Sequence, residues 1–393
     1  MKTLSKLQQL SFIIRREFLA ISTSYAVLLV LMGGIFVYGL LYNYMYAPNI
    51  VTDVPVAVVD NSHSELSRDF IRWLDATPQA EIFSQAMDYH EAKEWMKEGK
   101  VQGILYLPHD FEERVFRGDE AVFSLYATTD AFLYFEALQG ASSRVMLAIN
   151  DKYRPDEAVF LPPQGLLAVA MAKPINVEGT ALYNYTEGYG SYLIPAVMMI
   201  IIQTLLMVIG MVTGEEYSSK GIRAYTPFGY GWGVAIRIVA GKTSVYCALY
   251  AIFAFFLLGL LPHFFSIPNI GNGLYIVLLL IPYLMATSFL GLAASRYFTD
   301  SEAPLLMIAF FSVGLIFLSG VSYPMELMPW YWKVVHYIFP AAPGTLAFVK
   351  LNSMGASMAD IRPEYITLWI QALIYFTISI WVYKKKLESN LIG

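Results

Sequence analysis

The stretch of sequence with the most chemical content is charged, contains several glycines and lies between two apolar runs. It covers residues 214–244 and reads GEEYSSKGIRAYTPFGYGWGVAIRIVAGKTS. Glu215 and Glu216 fall where the preceding apolar run ends, and residues 217–225 are predicted to form a short helix. Charges in this position are suited to holding a partner protein, or they are simply the solvated end of a helix.

A second unusual stretch, residues 319–345, is rich in proline and aromatic residues: SGVSYPMELMPWYWKVVHYIFPAAPGT. Proline breaks helices, and broken backbone is tolerated at membrane depth only where protein or water covers it. The stretch therefore predicts short re-entrant or interfacial helices. The alternative is an ordinary external loop with aromatic anchors.

Patterns typical of catalysis and of nucleotide or metal binding are missing from the sequence. Gly241-Lys242-Thr243 resembles the end of a phosphate-binding loop, but the first glycine of GxxxxGK[ST] would be residue 236, which is an isoleucine. The histidines show no HExxH spacing, and a single cysteine, Cys247, excludes a cysteine-rich metal site. We therefore expect no catalytic residue, metal or cofactor in this chain. Cys247 is predicted to be a small buried apolar residue.

The composition is typical of an integral membrane protein. The 393 residues are 57% hydrophobic and 15% charged, whereas soluble domains carry about 25% charge. Six apolar runs are each long enough for roughly 30 Å of hydrocarbon. We therefore predict an α-helical integral membrane protein with about six transmembrane helices. The runs cover approximately residues 21–44, 190–213, 243–262, 274–295, 303–321 and 365–383.

The segment before the first run contains apolar residues with basic residues between them. In residues 4–18 the apolar side chains recur every three or four positions, which predicts an amphipathic helix at the cytoplasmic interface, or else the wet start of the first span. The first run is about 20 residues long, whereas a signal-peptide core has roughly 7–15. An uncleaved anchor is expected.

Charge indicates the orientation of the chain. Residues 45–188 contain 11 Lys/Arg and 22 Asp/Glu, a net charge of −11, and the rest of the chain carries +6. Six spans place both termini on one side, and basic residues gather near both termini, for example in Lys384-Lys385-Lys386. The positive-inside rule then predicts cytoplasmic termini and an external 45–188 segment.

The acidic segment is predicted to be an α/β domain. VPVAVVD at 54–60, VQGILYLP at 101–108 and AVFSLYAT at 121–128 read as strands. Residues 64–76 and 88–99 have helical spacing, which gives the order strand–helix–helix–strand. Residues 131–150 are expected to form a helical stalk and 166–172 a short strand. The chain is thus divided into residues 1–44, 45–188 and 189–393.

The motifs, taken in order, resemble permease subunits of the ABC-2 type transporter family. The first motif has an acidic pair, Lys-Gly, Thr226-Pro227 and Gly241-Lys242; the family often has threonine where this chain has Ile222. Residues 319–345 are similar to the family's Ser-Gly, Tyr-Pro, Met-Pro-Trp and late-proline signature. VPVAVVDNSHSELSRDF with KEGKVQGILYLPHDFEERVFRG resembles the inserted domain of the subgroup that has a large extracytoplasmic domain between its first two spans.

This resemblance implies a function and a set of partners. A permease subunit would pair with a second permease chain, in a homodimer or heterodimer, and rest on a separate ABC ATPase subunit that binds ATP. It would lie in a bacterial inner membrane, and a periplasmic adaptor is a further expected partner. The residues implied to couple to the ATPase, within 214–226, are Glu215, Glu216, Tyr217, Lys220 and Gly221. Those of the outer re-entrant segment are Gly320, Tyr323, Pro324, Met328, Pro329, Trp330 and Pro340.

The chemistry of the cargo is suggested by what the spans lack. They hold few polar residues and almost no ionisable residue at mid-membrane, which argues against a proton-coupled transporter and favours hydrophobic or amphiphilic cargo. A net charge of −5 gives no support for nucleic-acid binding. Two other classes stay open: a membrane-anchored receptor or scaffold whose outer domain is the working part, and, with the least support, a membrane enzyme.

Overall fold

The computed structural model describes residues 5–153 and 188–389, apart from 49, 118, 120, 129–131, 220, 299 and 301. The predicted strand at 166–172 lies outside the described residues. The chain divides into two compact units, which we describe separately. A helical unit contains Met1–Ala47 and Leu182–Gly393, and an α/β unit contains Pro48–Ala181.

The helical unit confirms the predicted fold class. Among the described residues, five helices are long and apolar enough to cross a membrane, and the number is six if one bent helix pair forms a single span. We call the five the first, second, third, fourth and last spans. In that order they are Tyr25–Met45, Tyr189–Ser218, Trp232–Phe264, Gly273–Ala294 and Arg362–Ser389.

Several spans are composite. The first contains a π-helical stretch at Leu31–Val37, and the third contains another at Phe256–Leu260. The second consists of two helices that meet at Gln203. Shorter helices complete the unit: Gly221–Phe228 (3₁₀), Ala303–Leu318, Met325–Leu327 (3₁₀), Trp330–His336 and Ala341–Met354.

Two predicted span boundaries were wrong. The third span begins at Trp232 and not at 243, so Lys242 lies inside a helix. The run at 303–321 forms the 16-residue helix Ala303–Leu318. At 1.5 Å per residue this helix is about 24 Å long, which is short of the roughly 30 Å of a hydrocarbon core.

The N-terminal helix, Lys6–Thr23, packs along the third span. A capping box starts it: Ser5 Oγ accepts from Gln8 N, and Gln8 Oε1 accepts from Ser5 N. The packing is close because a Cβ on Gly241 would lie only 2.8 Å from Ile13. The apolar stripe that suggested an interfacial helix is divided. Leu10 takes part in this contact, 3.2 Å from the same Cβ, whereas Leu7, Ile14 and Phe18 are exposed. The predicted interfacial position stays a prediction.

The α/β unit is built on a four-stranded sheet in the order β2-β1-β3-β4. β1 runs parallel to both β2 and β3, and β4 runs antiparallel to β3. β1 is buried along nearly its whole length because helices cover both faces of the sheet. The strands are β1 Val54–Asp60, β2 Ala80–Gln85, β3 Gly103–Leu107 and β4 Ser124–Ala127; the helices are Glu65–Asp75, Tyr89–Lys97, Phe111–Arg117 and Phe132–Tyr153.

The order predicted for this unit was incomplete. A strand, β2, separates the first two helices, and it was missed because only Ala80 in it is buried while most of its other side chains face solvent. The expected stalk is a helix, Phe132–Tyr153, but it is not a bare connector. Its residues Leu138, Ala141 and Val145 are buried in the core on one face of the sheet.

Close packing within the helical unit depends on a residue without a side chain. A Cβ on Gly344 would lie 2.5 Å from the ring of Tyr283, whose hydroxyl donates to Met199 O at 3.1 Å. We expect Gly344→Ala to lower the free energy of unfolding by ~1–3 kcal/mol, measured as a lower melting temperature of the purified chain in detergent. Gly33→Ala is the control, because a Cβ there meets nothing within 4 Å. Equal melting temperatures for the two variants would contradict this packing.

Candidate functional site

A fully buried lysine lies at the centre of a cluster of ionic groups. Lys242 is on the third span, and its Nζ lies 2.5 Å from Glu17 Oε2 and 3.1 Å from Glu216 Oε2. The side chain of Lys242 is 0% exposed, that of Glu17 2% and that of Glu216 8%. Because the three residues come from three different helices, their ion pairs fix the N-terminal helix against the end of the second span and the third span.

Three tyrosines complete the shell around these charges. The Tyr246 hydroxyl donates to Glu17 Oε1, which gives that carboxylate a second partner. The rings of Tyr225 and Tyr383 lie 5.9 and 5.8 Å from Lys242 Nζ, within the range of cation–π contacts. Burial raises the pKa of Tyr225, so its hydroxyl stays neutral at physiological pH.

Arg16 extends the cluster to the segment after the second span. Its Nη2 donates to the carbonyl oxygen of Gly221 at 2.5 Å, and its guanidinium lies 4.6 Å from the centre of the Tyr225 ring. Its Nη1 is 4.0 Å from Glu216 Oε1. Consecutive residues of the N-terminal helix, Arg16 and Glu17, therefore hold both the 3₁₀ helix and the third span. We call Arg16, Glu17, Glu216 and Lys242 the ion cluster.

The structure separates the residues predicted to couple to an ATPase. Glu216 is buried in the ion cluster, whereas Glu215 and Tyr217 are exposed, and Gly221 accepts from Arg16. Lys220 lies outside the described residues. A short helix is present near the predicted residues 217–225, but its bounds differ: the second span continues to Ser218, and a 3₁₀ helix follows at Gly221–Phe228. A cavity of about 220 Å³ beside the cluster is lined partly by Glu215.

Sequence reasoning missed Glu17 and the buried state of Lys242. Lys242 was placed just before the predicted start of the third span at about residue 243, and Glu17 lay within the predicted amphipathic helix of residues 4–18. One signal was present: Ile13, Glu17 and Ile21 recur at four-residue spacing, so an acidic residue falls on an otherwise apolar helix face. That pattern identifies a buried carboxylate but not its partner, which lies 225 residues away.

The segment predicted to be re-entrant, residues 319–345, contains a sharp bend. Helices Trp330–His336 and Ala341–Met354 meet at 84°. Its predicted residues are spread over the bend. Gly320 has a positive φ of 85°. Pro324 precedes the 3₁₀ turn, and Pro329 and Pro340 precede the two helices. Met328 is buried, whereas Tyr323 and Trp330 are exposed.

Side chains pair with backbone carbonyls at this bend and at the end of the helix Ala303–Leu318. Gln371 Nε2 donates to Tyr337 O at 2.8 Å, and the Tyr375 hydroxyl donates to Ile338 O at 2.5 Å, both from the last span. His336 Nδ1 lies 2.6 Å from Leu318 O, and the Tyr192 hydroxyl donates to Val321 O. Carbonyls at or just after the ends of two helices are thus paired with protein side chains, which is a requirement for broken backbone inside a membrane.

Comparison with known proteins assigns the chain to a family. The family described as "ABC-2 family transporter protein" matches residues 16–381, which includes the ion cluster and the bend. The chain belongs to the ABC-2 transporter family. It is therefore an ABC transporter membrane subunit, not itself catalytic, and its family implies an ABC ATPase partner. None of the curated proteins matches this chain.

Among the described residues, no group of three or more His, Cys, Asp or Glu residues is placed to hold a metal ion.

We expect the ion cluster of this ABC-2 subunit to be essential for its folding. Lys242→Ala leaves two buried carboxylates without their cation, and breaking a buried pair in this way costs ~3–5 kcal/mol. The measurement is the melting temperature and yield of the purified chain. Lys97→Ala is the matched control, because Lys97 forms an exposed pair with Glu94 at 2.6 Å, and such pairs contribute only about 0–1 kcal/mol. Similar losses in both variants would refute a structural role for the cluster.

Proposed function

We propose that this chain is the permease subunit of an exporter that moves a hydrophobic or amphiphilic substrate outward across the inner membrane. ATP is bound and hydrolysed by a separate ABC ATPase subunit. Two permease chains, identical or related, pair to enclose the pathway, and a periplasmic adaptor joins them where the cell has an outer membrane. Both termini face the cytoplasm, and residues 45–188 lie outside.

The observation that carries this proposal is the ion cluster. It joins the N-terminal helix, the end of the second span and the third span through Glu17, Glu216 and Lys242. A force applied to any one of these elements is transmitted to the others, because separating them would strand a buried charge. This is the property required where an ATPase moves a set of spans from outside the membrane.

The contact with the ATPase is assigned to the exposed residues beside the cluster. Glu215 and Tyr217 point away from the core, and Arg223 is exposed on the 3₁₀ helix. Glu216 then has a different role from its neighbour: it fastens the contact surface to the third span. Of the acidic pair, Glu215 thus contacts the partner, and Glu216 holds the contact surface in the fold.

The absence of charged residues from large parts of three spans supports an apolar pathway. Residues 246–262 of the third span, the whole fourth span and residues 365–383 of the last span contain no Asp, Glu, Lys or Arg. Hydrophobic or amphiphilic cargo needs no ionisable group at mid-membrane, whereas proton-coupled transport does. If only charged hydrophilic cargo stimulates ATPase activity in the reconstituted complex, the cargo assignment is wrong.

The first experiment is a mild-detergent purification of the tagged chain from its host, with mass spectrometry and an ATPase assay on the eluate. We expect a stoichiometric ATP-binding-cassette subunit and vanadate-sensitive activity. Recovery of the chain without an ATPase, under conditions that preserve other transporter complexes, would instead favour the receptor or scaffold, whose working part is the α/β unit.

The exposed contact surface predicts a specific variant. We expect Glu215→Arg with Tyr217→Ala to reduce co-purification of the ATPase at least several-fold and to abolish transport, because the charge of the surface is reversed and an aromatic contact is removed. The melting temperature of the chain should not change, since both side chains are exposed. Glu326→Arg, an exposed residue of the segment predicted to lie outside, is the matched control. Normal ATPase recovery and transport in the double variant would exclude this surface.

Orientation is tested with single cysteines. In a Cys247→Ala background, we introduce Ser218→Cys beside the proposed ATPase contact and Ser322→Cys in the outer segment, both at exposed positions. A membrane-impermeant maleimide applied to intact spheroplasts should label residue 322, and residue 218 only after permeabilisation. The reverse pattern would contradict the proposed topology and would exclude residues 215–223 as the contact with the ATPase.

A further inference from the structure

Two basic residues meet at one exposed tryptophan, where the fourth and last spans end side by side. Lys385 Nζ lies 4.1 Å from the centre of the Trp381 ring, and Arg296 Cζ lies 5.5 Å from it. Lys385 and Trp381 belong to the last span, whereas Arg296 comes just after the end of the fourth. The two cations therefore reach the same ring from different spans, and both distances are within the range of cation–π contacts.

A third basic residue fixes the two spans against each other at this point. Lys386 Nζ donates to the carbonyl oxygen of Ser295 at 3.0 Å and to its hydroxyl oxygen at 3.1 Å. Ser295 is fully buried and directly precedes Arg296. These bonds therefore hold the backbone from which Arg296 extends. Of two consecutive lysines, Lys386 is bonded inside the fold, whereas Lys385 is exposed.

The two cations at the ring have no counter-ion in the part of the chain that the structure describes. No Asp or Glu there forms an ion pair with Arg296 or Lys385, and both side chains are exposed. The preceding lysine differs, because Lys384 Nζ lies 3.3 Å from Glu388 Oε1. Two positive charges are thus held near each other without compensation, and such a pair attracts an anion.

The face of the last span that leads to these cations is apolar and exposed. Apolar residues that are between 40% and 53% exposed recur along it every three or four positions: Ile370, Ile374, Ile378 and Trp381. Lys385 continues this stripe. From residue 370 to residue 381 the stripe covers about 17 Å of helix, against about 15 Å for one leaflet of a hydrocarbon core. An acyl chain of one leaflet therefore fits along the stripe, with its head group level with the two cations.

We propose that Arg296 and Lys385 bind the phosphate of an anionic phospholipid in the leaflet at the C-terminal end of the last span. Basic residues at the ends of spans attract anionic head groups, and tryptophan rings lie at the same depth. The guanidinium of Arg296 offers two N–H groups in the geometry that phosphate oxygens accept, and Lys385 adds a second charge. The ring of Trp381 keeps both cations at the surface of the spans, and the apolar stripe contacts the acyl chain.

A second copy of the chain fits this surface less well than a lipid does. Two copies in one membrane have the same orientation, so a two-fold contact along the stripe would bring the cations of one copy towards those of the other. Residues 365–383 of the last span contain no Asp or Glu that could compensate for this repulsion. The negative charge of an anionic lipid head group is complementary to the two cations.

The test is native mass spectrometry of the full chain in detergent, titrated with phosphatidylglycerol or with phosphatidylethanolamine of the same acyl chains. We expect phosphatidylglycerol to bind at roughly tenfold lower concentration, because its head group has a net negative charge that the two cations attract. Glycerol phosphate carries the phosphate without acyl chains and should not compete at the same concentration. Competition by glycerol phosphate would assign the site to a soluble phosphate compound and overturn the proposal.

Charge removal and charge conservation supply the variants. Arg296→Gln with Lys385→Gln should abolish the preference for phosphatidylglycerol, and Lys385→Gln alone replaces this pair if it fails to fold. Arg296→Lys with Lys385→Arg keeps both charges and should keep the preference. The matched control is Arg15→Gln with Arg223→Gln, which removes the same charge from exposed positions elsewhere in the helical unit. A preference that survives the charge-removing variant, or that is lost equally in the control, contradicts the proposal.

The same spectra identify any other occupant of this surface. Phosphatidylglycerol on the monomer but not on a dimer would assign the surface to a second copy, and its displacement by a co-purified ATPase would assign the surface to that subunit. Either result overturns the proposal. The site is formed by two spans alone, so a chain purified without an ATPase would overturn the proposed exporter and leave this inference untouched.

Discussion

The arrangement of the helical unit depends on the burial of one ammonium group. Lys242 has no access to solvent, and moving such a charge out of water costs several kcal/mol unless carboxylates compensate for it. Glu17 and Glu216 provide that compensation from two other helices, and Tyr246 pairs the remaining oxygen of Glu17. The ammonium therefore determines where three helices meet, and it does so with a geometry that apolar packing alone would not specify.

A second constraint acts at the bend between His336 and Ala341. Carbonyl groups freed by a broken helix must find donors, and Gln371 and Tyr375 of the last span supply them. Polar residues inside the spans also join neighbouring helices. The hydroxyl of Thr204 in the second span, for example, lies 3.1 Å from that of Tyr250 in the third.

Much of the fold was predictable because membrane thickness and sheet burial each require a characteristic hydrophobic pattern in the sequence. Apolar runs of about 20 residues located the spans, and the β-branched run at 54–60 located a buried strand. The exposed edge strand Ala80–Gln85 has no such pattern. The start of the third span was misplaced because lysine is rare inside spans, and only its partners explain Lys242. Those partners lie 225 and 26 residues away along the chain, a distance that no local pattern reveals.

The last span connects the two constraints. Its Tyr383 ring lies 5.8 Å from Lys242 Nζ in the ion cluster, and its Gln371 holds the bend at Tyr337 O. Twelve residues of continuous helix, about 18 Å, separate these two contacts. A displacement of the ion cluster that carries Tyr383 with it must shift or rotate Gln371, because an α-helix is stiff over this length. The hydrogen bond to Tyr337 then lengthens or drags the bend along. A movement of the ion cluster thus reaches the bend through one continuous helix, which contacts the cluster through Tyr383 and the bend through Gln371.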